Sequence, residues 1–148
     1  MTTYFYGRCS ADENFEKGSS IATQIERANA YAVIHNLKID KEISESISGS
    51  IRFANRPLGL ELMNDLKRDD HIICSALDRF SRNTLDLLQL IEKFKKMKIN
   101  LHFAEFGNVT SSSAMGSVFV KLLSVFAEFY SKQCSEKQSA TKQRMIKE

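Results

Sequence analysis

The chain has 148 residues, of which 26% are charged, and its 21 basic and 18 acidic side chains leave a formal net charge of +3. An apolar fraction of 43% suits one compact domain, and no stretch approaches the run of about 18 apolar residues that a membrane span requires. Composition therefore excludes a membrane protein and a disordered chain. The N-terminus shows no secretory leader, which predicts a cytoplasmic protein, and three distant cysteines exclude a disulfide framework or a zinc knuckle.

Short β-branched or aromatic runs alternate with stretches of helical period, which is typical of β-α-β units around a largely parallel sheet. In chain order the predicted elements are a strand over about residues 3–8, a helix that opens at Ser19 or Ser20, a strand over 39–44, a helix over 57–68, a strand over 71–76, a helix over 84–97 and a strand over 99–105. Pro57 suits the first turn of the second helix. In that helix Leu58, Leu62 and Leu66 are predicted to face inward.

The last segment differs because residues 115–130 are apolar almost all round a helix. A helix covered on one side by a small sheet shows a single apolar stripe, so the surplus predicts contact with another subunit, with a central core helix as the alternative. Residues 132–148 then carry five basic side chains against two acidic ones, and the rest of the chain is neutral. This basic segment indicates approach to a polyanion, although a solvated helix surface has the same pattern.

Polar side chains collect where three of the predicted strands end. Arg8 and Ser10 lie two residues apart after strand one, so an extended backbone points both side chains the same way. If strands one and three are neighbours, all three strand ends flank the position where ligands bind in open α/β sheets. The converging set comprises Arg8, Ser10, Arg56, Asp78, Arg79 and Arg82.

Four arginines around one serine indicate a phosphodiester substrate. Guanidinium groups bind phosphate through two parallel hydrogen bonds and stabilise the charge that develops during phosphoryl transfer. Ser10 is then the nucleophile. No histidine or metal-ligand cluster lies nearby in sequence, so proton transfer falls to Asp78 or to an arginine, and no metal or cofactor is expected.

The chain resembles the serine site-specific recombinases of the resolvase and invertase type, in order along about residues 4–130. The matching segments are Tyr6-Gly7-Arg8-Cys9-Ser10, Gln24 in the first helix, Asn55-Arg56-Pro57-Leu58-Gly59 and Leu77-Asp78-Arg79-Phe80-Ser81-Arg82-Asn83. The resemblance implies a resolvase-like three-layer α/β domain with strand order 2-1-3-4 and room for a short extra edge strand. It also implies a catalytic domain over residues 1–115 and a long helix over 116–148 for oligomerisation and DNA backbone contact.

The chemistry implied by the resemblance is cleavage and rejoining of double-stranded DNA in resolution, inversion or integration. Ser10 would form a 5′-phosphoseryl link and release a 3′ hydroxyl, and a homodimer would assemble to a tetramer on the DNA. The resemblance also implies roles for the remaining residues. The phosphate would be held by Arg8, Arg56, Arg79 and Arg82. Asp78 would orient an arginine or assist proton transfer, and Gln24 would support substrate contacts.

One departure from the family pattern motivates an alternative. The family usually has a Glu-Arg pair on the long helix where this sequence reads Tyr130-Ser131, and Lys132 lies about 100° further around the helix. The alternative is a catalytically impaired resolvase-like module that dimerises or binds DNA without strand transfer. A small-ligand α/β domain is disfavoured because no glycine-rich nucleotide loop is present.

The sequence predicts neither a DNA-recognition domain nor a functional role for its histidines. No helix-turn-helix or zinc motif is left over, so we expect no DNA-recognition domain in these residues. The three histidines are scattered along the sequence and are predicted to be structural or surface residues.

Overall fold

The computed structural model describes the backbone of residues 1–9, 20–110 and 114–147. Its elements in chain order are β1 (Thr3–Cys9), α1 (Ile21–Ile34), β2 (Lys41–Ser46), a 3₁₀ turn (Phe53–Asn55), α2 (Pro57–Asp65), β3 (His71–Cys74), α3 (Leu77–Phe80), α4 (Thr84–Met97), β4 (Asn100–Phe103), β5 (Gly107–Asn108) and α5 (Ala114–Lys147). This order confirms the predicted α/β alternation.

The sheet has five strands in the order β2-β1-β3-β4-β5. The first four run parallel, and the two-residue β5 pairs antiparallel with β4 at the edge. The predicted order 2-1-3-4 is confirmed, and β5 is the extra edge strand. Because the chain leaves β1 first toward β2 and later toward β3 on its other side, the carboxyl ends of β1 and β3 flank the switch point of the sheet.

Helices cover both faces of the sheet. On one face, Ala28, Tyr31 and Ala32 of α1 pack against Phe5 and Ile73. The other face holds the larger core, which α2, α4 and α5 cover with Leu62, Leu87, Ile91, Phe94, Phe119 and Leu123. All seven residues of β1 are buried, as expected for a central strand with helices on both sides.

Local sequence signals explain where the helices begin and end. Ser20 caps α1, because its hydroxyl accepts a hydrogen bond from the backbone N–H of Thr23 at 3.2 Å. Asn83 caps α4 in the same way through the N–H of Asp86, and Lys98 ends that helix with a left-handed φ of 59°.

The second helix is shorter than predicted, and the side of it that faces the core differs from the predicted side. It ends at Asp65, and Leu58, predicted to face inward, is 36% exposed. The cause is Gly59, which packs so closely on the 3₁₀ turn that a Cβ there would lie 2.5 Å from the carbonyl oxygen of Phe53. With Gly59 against the turn, the preceding position points outward, about 100° around the helix. The prediction for Leu58 was therefore wrong.

The final helix, α5, is a single element of 34 residues. Phe119 and Leu123 are buried in the larger core, which anchors the first part of the helix. An adjacent face, centred about 100° further round the helix, carries an apolar stripe whose members are each 51–60% exposed: Val118, Leu122, Val125, Phe126 and Phe129. These exposures exclude a central core helix. Among the described residues, no helix combines the length and apolarity needed to cross a membrane.

Candidate active site

Of the predicted site residues, those that the structure describes come together at the carboxyl ends of β1, β2 and β3. Arg8 is the penultimate residue of β1, the loop 47–52 follows β2, and α3 follows β3. Ser10, the predicted nucleophile, falls outside the described residues, as does the rest of the segment 10–19. The structure therefore describes this part of the site only up to Cys9, the last residue of β1.

Arg8 joins the loop after β2 to α3. Its side chain is fully buried, and the guanidinium donates from Nη1 to the carbonyl of Ile47 and from Nη2 to the carbonyl of Asp78, both at 3.0 Å. Because a guanidinium keeps its charge at every relevant pH, a buried one requires oxygen atoms around it. The main chain provides them here.

Gln24 fixes the backbone of the same residue. Its Oε1 accepts from the N–H of Arg8 at 3.1 Å, and its Nε2 donates to the carbonyl of Arg8 at 2.9 Å. The register of β1 with β3 ends at Phe5 and Ile73, so the side-chain amide of Gln24 takes the place of a neighbouring strand beyond that point. Gln24 thus holds the end of β1 in an extended conformation.

Arg56 is the second fully buried arginine. It sits between the 3₁₀ turn and α2, and its Nε donates to the carbonyl of Ile51 at 3.0 Å. Its Nη1 lies 2.8 Å from the carbonyl of Phe80 and 3.1 Å from the hydroxyl of Tyr6. Arg56 therefore links the loop after β2, the end of α3 and the centre of β1.

Arg79 and Asp78 occupy α3. The side chain of Arg79 is 12% exposed, its Nη1 donates to the carbonyl of Arg8 at 3.4 Å, and its Nε lies 3.9 Å from a carboxylate oxygen of Asp78. The side chain of Asp78 is 56% exposed, so this ion pair contributes little to stability and serves mainly to orient the arginine.

Gly49 is the point where three of the arginines meet. A Cβ at this position would lie 2.7 Å from Cδ and Nε of Arg82 and 2.8 Å from Nη2 of Arg8. The carbonyl of Gly49 also accepts from Nη2 of Arg56 at 3.5 Å. Because Gly49 has no side chain, these three guanidinium groups can approach the same stretch of loop backbone.

An open depression of about 480 Å³ adjoins the cluster and is lined by Leu77, Asp78, Ser81, Arg82 and Glu105. Arg82 also lies against Gly49, where Arg8 and Arg56 approach the same backbone, so the depression adjoins the arginine cluster through Arg82. The charged lining consists of the guanidinium of Arg82 and the carboxylates of Asp78 and Glu105, so Arg82 is the side chain that would meet an anion there. No cluster of three or more metal-ligating side chains occurs in the described part of the chain.

Two side chains at this site were not predicted from the sequence, namely Glu45 and the hydroxyl of Tyr6. Tyr6 donates to a carboxylate oxygen of Glu45 at 2.5 Å, and the other oxygen accepts from the N–H of Leu58 at 2.7 Å. Burial, followed by the hydrogen bond to Glu45, raises the pKa of Tyr6 above its usual range. Glu45 lies in phase with Ile43 on β2, but the predicted strand ended at Ser44 and hid that signal.

Asp86 is a further buried acid near the site. It accepts from the N–H of Phe53 at 3.3 Å and from the hydroxyl of Ser81 at 3.2 Å, and it lies 3.5 Å from Nε of Arg52. Asp86 thereby ties the start of α4 to the 3₁₀ turn and to the end of α3.

The histidines are not scattered in the fold. Nδ1 of His102 is hydrogen-bonded to the hydroxyl of Tyr31 and Nε2 to Nδ1 of His71, both at 2.8 Å, and the ring of His35 lies 4.1 Å from that of Tyr31. Burial lowers the pKa of His102 to about 4 and also lowers the pKa of His71. This pair on the α1 face is structural, as predicted, but it forms one cluster.

The chain matches a known protein family over almost its whole length. The family profile described as "Resolvase, N terminal domain" matches residues 3–148. The transposon Tn2501 resolvase of Escherichia coli is 30% identical over 107 residues, which cover 72% of this chain and 55% of the relative. The transposon Tn917 resolvase of Enterococcus faecalis is 30% identical over 123 residues, covering 83% and 59%. The chain thus spans a little over half the length of these curated relatives.

Solved structures give the same result. The N-terminal catalytic domain of TP901-1 integrase superposes with a TM-score of 0.72 at 31% identity, covering 90% of this chain and 98% of that domain. A resolvase family site-specific recombinase from Streptococcus pneumoniae has a TM-score of 0.74 at 21% identity, covering 100% and 99%, and supports the fold alone.

Proposed function

This chain belongs to the resolvase N-terminal domain family, and we propose that it cleaves and rejoins double-stranded DNA in site-specific recombination through a 5′-phosphoseryl intermediate. The observation that carries the proposal is the convergence of Arg8, Arg56 and Arg82 on the backbone of Gly49 beside an open depression. A cluster of fixed positive charge at the switch point of an α/β sheet suits a phosphodiester, which carries one negative charge at each linkage.

The proposed reaction conserves the energy of the phosphodiester. The hydroxyl oxygen of Ser10 attacks the scissile phosphorus, a phosphoserine ester forms, and the bond between phosphorus and the 3′ oxygen breaks. The serine proton leaves as the 3′ oxygen gains one, so the products are a 5′-phosphoseryl end and a free 3′ hydroxyl. Attack by a 3′ hydroxyl on the phosphoserine reverses these steps and reseals the strand without an external energy source.

The arginines divide into two pairs by burial. Arg82 is exposed and Arg79 keeps 12% of its side chain exposed, and these two would contact the nonbridging phosphate oxygens directly. Arg8 and Arg56 would act from beneath as fixed positive charges, because their N–H groups face main-chain carbonyls. Direct contact between these two and the phosphate requires the loop 47–51 to move.

The two remaining predicted site residues would act through the arginines. Asp78 would orient Arg79 through their ion pair. Gln24 would fix the backbone of Arg8 at the end of β1, the strand that leads to the predicted nucleophile. Neither role requires direct contact with DNA.

The formation of a covalent adduct tests the proposal. The protein, expressed from its complete reading frame, is incubated with supercoiled DNA that carries the region flanking its gene, and with nicked versions of that DNA. After denaturation we expect a protein–DNA adduct with a blocked 5′ end and an extendable 3′ hydroxyl. Ser10→Ala should abolish the adduct, whereas Ser46→Ala, an exposed serine on β2, should not. No adduct on any of these substrates would contradict the proposal.

The proposed assembly is a homodimer that becomes a tetramer on DNA, with residues 1–115 as catalytic domain and 116–148 as the oligomerisation and DNA backbone helix. The exposed apolar stripe of α5 supports this assembly. Phe126→Glu should shift sedimentation toward the monomer, and Lys121→Glu, on an exposed position of the same helix, should leave it unchanged. Identical sedimentation of the two variants would place the interface elsewhere.

A non-cleaving module remains the second candidate because Tyr130-Ser131 replaces the usual Glu-Arg pair. Under this candidate the protein would associate or bind DNA without forming the adduct. Ser131→Arg should then create or raise adduct formation if the absent arginine is what limits it. An unchanged rate would remove that explanation.

A further inference from the structure

Arg56, Tyr6 and Glu45 form a continuous chain of side chains through the interior. Nη1 of Arg56 donates to the hydroxyl of Tyr6 at 3.1 Å, and that hydroxyl donates to Glu45 at 2.5 Å. The second carboxylate oxygen of Glu45 returns to the backbone N–H of Leu58, two residues after Arg56. This network of hydrogen bonds therefore begins and ends at the start of α2, because Arg56 and Leu58 lie in the same turn.

The charges along this chain are complementary. Arg56 carries a permanent positive charge in a fully buried position, and main-chain carbonyls can offset it only with partial charges. Glu45 is a carboxylate on an otherwise exposed edge strand, and its side chain points inward, where it reaches Tyr6. Because Tyr6 retains its proton, its hydroxyl can donate to Glu45 and accept from Arg56 at the same time.

We propose that Glu45 and Tyr6 are positioning residues for Arg56, and that they fix the guanidinium and share its charge so that it can support the scissile phosphate. The proposal rests on the proposed function. Tyr6 sets where the guanidinium lies, and Glu45 holds the Tyr6 hydroxyl and the first turn of α2 in place. Loss of either group would leave Arg56 inside the protein but free to settle on its carbonyl partners alone.

Matched substitutions separate this role from simple packing. Tyr6→Phe removes only the hydroxyl, and Tyr4→Phe makes the same change two residues earlier on the same face of β1, in the same core. Glu45→Gln removes the charge, and Glu42→Gln does so at an exposed position of the same strand. All four variants are compared with the parent protein below their unfolding temperatures.

Two measurements are made on each variant. The first is the rate of adduct formation at saturating DNA together with the affinity for DNA. We expect Tyr6→Phe and Glu45→Gln to lower the rate about 10- to 100-fold, the value of a hydrogen bond to a charged group, and to leave affinity within about 2-fold. The second is the nitrogen NMR signal of the Arg56 guanidinium in the DNA-free protein, which is assigned with Arg56→Lys.

In the second measurement we expect the Arg56 signals to shift and its side-chain rotation to accelerate in Tyr6→Phe and Glu45→Gln, but not in the two control variants. Unchanged Arg56 signals would overturn the proposal whatever the rates. Changed signals with a rate equal to that of Tyr4→Phe would overturn the link to phosphate. If the parent protein forms no adduct, the proposed function fails and the positioning of a phosphate falls with it, while the NMR result still decides whether the chain of hydrogen bonds holds Arg56.

Discussion

Two regions of this molecule bury basic side chains, and they do so in opposite ways. At the carboxyl ends of the central strands, Arg8 and Arg56 are buried as cations and are surrounded by main-chain oxygens, a phenol and a carboxylate. On the face covered by α1, the buried His102 is hydrogen-bonded to Tyr31 and to the partly buried His71. The histidine pair has no oxygen shell of that kind among the described contacts, and burial depresses the pKa of both rings.

The difference follows from the chemistry of the two side chains. A guanidinium cannot release its proton in a protein, so burying it requires acceptors, whereas an imidazole can become neutral. The arginine region therefore keeps its charge at every physiological pH, which the proposed phosphate chemistry requires. The histidine region is uncharged at neutral pH and makes the stability of the fold depend on acidity.

The largest expected effect comes from removing a cation from its oxygen shell. Arg56→Met keeps much of the side-chain volume but leaves the carbonyls of Ile51 and Phe80 without their donor. We expect the free energy of unfolding at pH 7 to fall by about 3–5 kcal/mol, measured by urea denaturation. Arg68→Met, at an exposed position, is the control and should cost less than about 0.5 kcal/mol. Equal losses of unfolding free energy in the two variants would show that the carbonyl groups around Arg56 do not depend on its guanidinium.

A smaller effect is expected from acidification. The pKa of His102 is about 4 in the folded protein and its ordinary value is 6.5, so between these values the unfolded chain binds a proton that the folded one does not. The free energy of unfolding should therefore fall as pH drops through this window, by about 2 kcal/mol between pH 7 and pH 5. The lowered pKa of His71 acts in the same direction.

Replacing the titrating ring tests the source of that pH dependence. His102→Gln should flatten the curve of unfolding free energy against pH by most of its slope in this window, whereas Asn29→Gln, a neutral change at an exposed position of α1, should leave the slope unchanged. Urea denaturation at a series of pH values measures both. A slope in His102→Gln equal to that of the parent protein would assign the acid sensitivity to other groups.

The smallest effect is a difference between two identical substitutions, one in each region. Tyr6→Phe removes a hydroxyl that bonds two charged groups, and Tyr31→Phe removes one that bonds a neutral imidazole. Because hydrogen bonds to charged groups contribute more, we expect Tyr6→Phe to cost about 1 kcal/mol more in unfolding free energy than Tyr31→Phe. Thermal unfolding of both variants under one condition gives the comparison, and a larger loss in Tyr31→Phe would reverse the ranking.

The sequence was sufficient to predict the topology and the place of the arginine region. Strand and helix periods, with strand ends that carry Arg8 and the Asp78-Arg79 pair, predicted the sheet order and the edge at which these residues meet. The sequence was insufficient to predict that Arg8 and Arg56 are buried at that edge. The carbonyls that enclose Arg8 and Arg56 belong to the loop 47–51 and to α3, whose courses depend on tertiary packing and not on any local pattern.

The histidine region shows a different limit. His71 and His102 are 31 residues apart in sequence, and they meet only because the register of β3 with β4 places Ile73 opposite His102. Register is set by pairing across the sheet, which a single sequence does not display. Glu45 was missed for a related reason, since an exposed edge strand has too little apolar alternation to mark its phase.

The length of α5 has a mechanical consequence. Thirty-four residues at about 1.5 Å per residue make a rod of about 50 Å, anchored near one end by Phe119 and Leu123. From Leu123 to the end of the helix is about 36 Å, so a tilt of about 10° at the anchor would carry the far end through about 6 Å, close to the rise of two base pairs. Under the proposed function the helix would act as a lever arm, because it would convert a rotation small enough to leave the sheet intact into a displacement on the scale of DNA base pairs.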